Sequence, residues 1–244
     1  MMTENAVNAF WMRTANVGDC LTPFVLERLT GRPVKWTDRS PKWLAAGSIL
    51  HEAHAGDTLC GVGSFEHMPA PNAADVRILT VRGPLTASKL GTTLPMYGDV
   101  GLLLPGVYWE PKPVTHVWGV IPHYVDEPEA RLAYPDAYVI SVNLSVTEFV
   151  DAIRSCRYVA SSSLHGLIVA EAYGVPAVRV RFATSNQIRD FDYKHRDYYE
   201  GTGRQLPAAV LLRKARRPEV VLSVVKHAAK LSDYVRYQLK EVRT

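Results

Sequence analysis

Residues 158–176 read Tyr-Val-Ala-Ser-Ser-Ser-Leu-His-Gly-Leu-Ile-Val-Ala-Glu-Ala-Tyr-Gly-Val-Pro. The spacing predicts a short buried strand, a serine turn, and a helix that buries Leu167, Ile168 and Val169 before Gly174 and Pro176 stop it. A turn therefore joins a strand's carboxyl end to a helix's amino end. The first N–H groups of a helix lack internal partners, and the macrodipole adds roughly half a positive charge there. An anion can dock at such a turn. Ser161, Ser162 and Ser163 supply hydroxyl donors, and His165 sits in the first helical turn, so a phosphate or carboxylate beside a proton donor fits. The same residues also fit a plain serine cap with a packed histidine.

Either side of this unit, strands alternate with helices. Apolar runs predict strands at Trp43 to Leu50, Thr58 to Val62, Asp75 to Val81, Val114 to Ile121, Tyr138 to Asn143 and Ala177 to Phe182. Helical patterns follow Asn16-Val17-Gly18-Asp19, Gly83-Pro84 and Ser145, and a last helix runs from Pro218 to about Val242. A short leader precedes Asn16, and Tyr97 to Pro105 reads as a tight turn with a short buried segment. The pattern predicts α/β with parallel sheets. The proline-rich stretch from Pro105 to Pro113 reads as a linker, which divides the chain into lobes at residues 1–110 and 111–244.

The other candidate site residues also stand at strand ends or helix starts. Gly18 lets a ligand approach the backbone, and Asp19 is either an acid in the cleft or the helix cap. Arg82, at the end of its strand, is either a clamp on carboxylate or phosphate oxygens or half of a structural ion pair. His123 follows a strand and faces either the crevice or solvent. Lys194 and Arg196 lie in an aromatic and charged stretch, 191–199, to which the pattern assigns no element.

The 244 residues carry 28 Lys+Arg and 24 Asp+Glu, a net charge of +4. The charge is uneven: Arg179 to Thr244 holds 15 Lys+Arg against 7 Asp+Glu, with Arg213, Lys214, Arg216 and Arg217 clustered. A basic tail suits an acidic partner, a phosphorylated substrate or an anionic membrane surface, and equally a solvated helix face. Nucleic acid is disfavoured, because the basic residues form no recognised motif. No apolar run approaches the roughly 20 residues that cross a bilayer, and no basic-then-apolar leader opens the chain. A cytoplasmic protein is expected, with peripheral contact at the inner membrane face through the tail. Cys20, Cys60 and Cys156 form neither a disulfide framework nor a metal spacing.

Seven motifs in order carry a resemblance: Asn16-x-Gly18-Asp19, Gly61-x-Gly63-Ser64, Val81-Arg82-Gly83-Pro84, Gly98-Asp99-x-Gly101-Leu102-Leu103, Ile121-Pro122-His123, Ser161-Ser-Ser-Leu164-His165-Gly166 and Glu171-Ala-x-Gly174-Val-Pro176. Together they resemble the polysaccharide pyruvyltransferase family, and among its members the shorter ones associated with exopolysaccharide ketals. Val100 departs from the proline that often follows Gly-Asp, and the chain is shorter than most members. The resemblance implies a two-lobed, Rossmann-like frame similar to GT-B glycosyltransferases, with the active cleft between lobes. It implies transfer of pyruvate from phosphoenolpyruvate onto two sugar hydroxyls, with release of phosphate and no metal or further cofactor. The acceptor is a saccharide, either polymer or lipid-linked.

On that reading His165 is the acid that protonates the donor, and Arg82, the turn from Ser161 to Leu164, Lys194 and Arg196 receive its oxygens. Asn16 and Gly18 shape the facing turn. Asp19 orients or deprotonates the acceptor hydroxyl, with His123 second in line. A GT-B-like glycosyltransferase using a nucleotide sugar and a non-catalytic glycan- or anion-binding homologue are the competing expectations.

Overall fold

The computed structural model describes residues 6–71, 75–210 and 222–241. Two all-parallel sheets form its frame, as the alternating pattern predicts. The first runs β2-β1-β3-β4-β5, from Val34–Trp36 (β2), Val7–Phe10 (β1), Trp43–Leu44 (β3), Thr58–Val62 (β4) and Arg77–Val81 (β5). The second runs β7-β6-β8-β9, from Tyr138–Val139 (β7), Gly119–Ile121 (β6), Val159–Ser161 (β8) and Ala177–Arg179 (β9). In both, the first strand lies inside the sheet and the order reverses beside it. In open parallel sheets that reversal leaves a crevice beyond the carboxyl ends of the two strands flanking it. The crevices here lie beyond β1 and β3 in one sheet and beyond β6 and β8 in the other.

Each helix has a local cause. Val17–Thr30 (α1) is capped by Asn16, whose Oδ1 accepts from Gly18 N–H at 2.9 Å, and it ends at Gly31 in the left-handed region. Asn16, not Asp19, is thus its cap. Pro84–Lys89 (α2) begins on a proline, where the missing N–H costs nothing. Val146–Arg154 (α4) is fixed by a reciprocal capping box between Ser145 and Glu148. Leu164–Ala172 (α5) is capped by Ser163 and, buried nearly all round, is apolar nearly all round. Glu127–Ala133 (α3) and Phe191–Gly201 (α6) are helices that the sequence pattern leaves unassigned. The last helix is Leu222–Glu241 (α7); residues 211–221, with the Arg213 to Arg217 cluster, and Val242 lie outside the described residues. Among the described residues no helix is long and apolar enough to cross a membrane.

The predicted strands are shortened in the structure. Trp43 to Leu50 pairs only over Trp43–Leu44, because Gly47 takes a left-handed turn and Leu50–Glu52 closes a 3-10 turn. Val114 to Ile121 forms a strand only from Gly119, with His116 making a lone parallel bridge to Cys156 and Thr115 and His116 donating to the Ser155 carbonyl after α4. Tyr138 to Asn143 and Ala177 to Phe182 likewise pair over Tyr138–Val139 and Ala177–Arg179. The supposed leader contains β1.

One apolar cluster runs from Val7 and Leu21 through Leu102, Phe149 and Ile168 to Leu231, so both sheets share a core. Its centre is a 3-10 turn, Val100–Gly106, capped by Asp99 and packed between α1, α5 and α7. Two helices of the second half return to the first sheet. Asp197 of α6 bonds Arg82 and Thr86, and Arg77 of β5 donates to the Gln238 carbonyl of α7.

Candidate active site

The amino ends of α1 and α5 meet at His165. Its imidazole lies against the backbone of Gly18, so close that a Cβ at residue 18 would fall 2.1 Å from Nδ1. The glycine that sequence reads as an opening for a ligand is filled here by a side chain from the other sheet. Asp19 is next along α1, and it feels the His165 charge. Burial raises the Asp19 pKa above its ordinary value, opposed by the Thr14 hydroxyl, which donates to Oδ2 at 2.6 Å, and by His165.

Sequence reading missed Asp99. Its Oδ1 accepts from Gly101 N–H at 2.9 Å, and its Oδ2 lies 3.7 Å from His165 Nε2. Both Oδ2 and Nε2 are buried without a hydrogen-bond partner among the described residues. The carboxylate is close enough for its charge to reach the ring and too far for a good hydrogen bond. The Gly98-Asp99-x-Gly101 motif was the available signal, and it reads first as a turn.

The three serines build the turn. Ser161 Oγ donates toward the Ile121 and Ser163 carbonyls, at 2.8 and 2.9 Å. Ser162 Oγ donates to Asp126 at 2.5 Å and accepts from His123 N–H at 2.9 Å. Ser163 Oγ caps Gly166 at 3.4 Å. The Ser161 and Ser162 hydroxyls are spent as donors, whereas Ser163 Oγ only accepts, so the donors left at this turn are the Ser163 hydroxyl and the first N–H groups of α5, those of Leu164 and His165, which have no acceptor within the helix. The α1 terminus is more occupied: Val17 N–H donates to the Val142 carbonyl, and Gly18, Asp19 and Cys20 N–H groups all donate to Asn16.

His123 stands beside these groups. Burial, then the positive charges of Lys194 and His165, push its pKa down to about 3. It is therefore neutral at any working pH. Its Nδ1 accepts from Val125 N–H at 3.4 Å, a contact that puts the single ring proton on Nε2 and makes His123 a neutral donor. Lys194, half-buried on α6, has no hydrogen-bond or ion-pair partner for its ammonium among the described residues. Burial, then the nearby Arg82 charge, lower its pKa from 10.5 to about 8, while Asp126 and Asp190 pull upward.

A sign follows for pH. The folded chain binds this proton less well than the unfolded chain, so Lys194 opposes folding below about pH 8 and the opposition fades as pH rises toward 10.5. For an anionic ligand the direction reverses. Affinity for an anionic probe such as inorganic phosphate at this ammonium should fall above pH 8 by up to about tenfold per pH unit, because binding must then recapture the proton. Calorimetry across pH 7 to 9.5 reads this slope; a flat profile, or the same slope in Lys194→Met, contradicts it.

Arg82 and Arg196 sit differently. Arg82 is fully buried: Nε donates to Asp197 at 3.2 Å, one Nη to Ser48 Oγ at 3.1 Å and the other to the Ser64 carbonyl at 3.1 Å. Gly63 makes room, since a Cβ there would lie 2.0 Å from the guanidinium carbon. The pair ties α6, and with it Lys194, to the first sheet. Removing one partner of a buried pair strands the other charge, so Arg82→Ala should destabilise the protein by about 3–5 kcal/mol, read by denaturant unfolding. A loss under about 1 kcal/mol would show that the pair does not hold the helix. Arg196 points outward and pairs with Glu200 at 3.2 Å on its own helix; it is not brought to the cluster.

The described residues contain no group of three or more His, Cys, Asp or Glu positioned to hold a metal ion. The arrangement brings together an imidazole, a neighbouring carboxylate, an ammonium without a partner among the described residues and the open N–H groups of a helix start. Those parts suit proton transfer to a small acidic substrate.

Residues 71–182 match the family model for polysaccharide pyruvyl transferase. The match covers Arg82, Asp99, His123, the serine turn and His165; Asn16 to Asp19, Lys194 and Arg196 fall outside it. An uncharacterized protein, L143, of Acanthamoeba polyphaga mimivirus is 26% identical over 210 residues, covering 75% of this chain and 71% of the relative. No solved structure matches.

Proposed function

We infer that this chain, whose residues 71–182 match the family model for polysaccharide pyruvyl transferase, moves pyruvate from phosphoenolpyruvate onto two hydroxyls of a sugar, forming a cyclic ketal and releasing phosphate. The family's activity is pyruvyl transfer to polysaccharide. Phosphoenolpyruvate as donor, an exopolysaccharide or its lipid-linked repeat as acceptor, and a two-lobed GT-B-like frame split near residue 110 are the finer parts of the proposal. The observation that carries it is the packing of His165 on Gly18, beside Asp19, where the amino ends of α1 and α5 meet.

In this reading the donor's phosphate and carboxylate lie against the Leu164 and His165 N–H groups, Lys194 and the His123 Nε2–H. His165 gives a proton to C3, which becomes a methyl group, and positive character develops at C2. The first sugar hydroxyl adds its oxygen to C2 while Asp19 accepts its proton. The second hydroxyl's oxygen then displaces phosphate, which leaves with the C–O electron pair, and that hydroxyl's proton passes to the leaving phosphate. Arg82, being fully buried, acts through its charge and by holding α6 rather than by touching the donor. No resident cofactor is needed. The basic tail would keep a cytoplasmic enzyme near a membrane-bound acceptor.

The testing experiment offers phosphoenolpyruvate and a nucleotide sugar separately, each with saccharide acceptors. Acceptor-dependent phosphate release with a pyruvate increment in the product's mass supports the reading. Nucleotide release with no phosphate would instead favour a glycosyltransferase.

A further inference from the structure

A cavity of about 780 Å³ opens beyond the carboxyl end of β9, away from His165. That size falls within the roughly 300–1,000 Å³ of small-molecule sites. Arg179 and Arg181 line it, and both guanidinium groups stack over the Phe191 ring, at 5.1 and 4.6 Å from its centroid. Both also pair with one carboxylate, that of Asp192. The Arg179 side chain is only 3% exposed, and the Nε of each arginine is buried without a partner among the described residues. The other lining acid, Glu129, is already satisfied by the N–H groups of Ala183 and Thr184 and by the Thr184 hydroxyl. Two cations therefore share one carboxylate, and that carboxylate is 56% exposed and free to be displaced. The rings of Tyr134 and Phe182, edge to face at 6.1 Å, form an apolar part of the wall.

We propose that this cavity binds an acidic saccharide, its ring against Tyr134 and Phe182 and its carboxylate or phosphate taking the place of Asp192 on Arg179 and Arg181. Aromatic faces meet the C–H side of a sugar, and planar guanidinium groups bind two oxygens at once. The first turn of α6 is the wall between the two sites, with Asp192 in this cavity and Lys194 toward His123. As the seat of an acidic residue of the acceptor, the cavity rests on the pyruvyl-transfer reading. Binding alone does not.

The test is calorimetry on the full chain without phosphoenolpyruvate, using methyl glucuronide, galactose 1-phosphate and neutral methyl glucoside as probes. At least one acidic probe should bind about tenfold or more tighter than the neutral one. Arg181→Ala, at a partly exposed side chain, should weaken it about tenfold, and Asp192→Asn should tighten it several-fold by freeing both arginines. Preference for the glucuronide identifies a uronate and preference for the phosphate a glycosyl phosphate; both support the proposal. No acidic binding, equal neutral binding, or an unchanged Arg181→Ala would overturn it. Acidic binding in a protein that never releases phosphate from phosphoenolpyruvate would sink the transfer reading and leave this one standing.

Discussion

His165→Asn should lower kcat for ketal formation by about 10²–10⁴-fold, the usual contribution of a positioned acid, with a much smaller change in donor affinity. Asparagine retains the backbone N–H and much of the ring's polarity and volume. On the proposed reading, the helix terminus that would receive the donor stays intact, while the proposed proton source is lost. Thermal unfolding should show a folded protein, since Nε2 makes no hydrogen bond and stands 3.7 Å from its nearest carboxylate oxygen. Single-turnover kinetics and donor binding, measured together, separate the two effects. A variant with wild-type kcat would remove His165 from the chemistry and leave it as packing between two helices.

Gly18→Ala should be nearly as damaging, for a steric reason. The added methyl would sit 2.1 Å from His165 Nδ1, a separation no real pair of atoms keeps, so either the ring or α1 must move. Overpacking of this kind costs about 1–3 kcal/mol of stability. The activity loss should be larger than that loss of stability would cause, because the ring moves away from Asp19 and from the donor pocket. Comparing Gly18→Ala with a core variant such as Val25→Ala, of similar or greater destabilisation and far from the ring, separates misplacement from instability. Equal activities in the two variants would mean that the close packing does not matter to function.

Much of this arrangement is legible in sequence because the site sits where simple rules apply. A strand, a turn and a capped helix announce themselves at Tyr158 to Pro176, and the same grammar marks Asn16 and Pro84. Legibility fails where burial falls on polar residues. The inward positions of α6 are Phe191, His195, Tyr198 and Tyr199, at helical spacing. With His195 and Asp197 buried among them, the run reads as mixed and charged, and the helix goes unseen. Strand β1 is too short to show alternation beyond Val7 and Ala9.

Chemistry was harder to read than topology. The Ser161 and Ser162 hydroxyls look like ligand donors in sequence, yet in three dimensions they donate to the Ser163 carbonyl and to Asp126, while Ser163 Oγ accepts from Gly166 N–H and keeps its own proton to give. Arg82 has the composition of an anion clamp and the surroundings of a buried ion pair, because Asp197, its partner, lies 115 residues away. No local pattern reports a contact of that span. Asp99 was hidden for the opposite reason: its cap on Gly101 explains the residue so well that the second oxygen, facing His165, goes unasked for.

The most direct measurement is a structure of the protein with phosphoenolpyruvate bound. The donor's phosphate is expected against the Leu164 and His165 N–H groups with the Lys194 ammonium beside it, and C3 facing the His165 ring. A donor seated instead on Arg179 and Arg181, with the space between His165, Asp19 and Lys194 unchanged, would contradict the account.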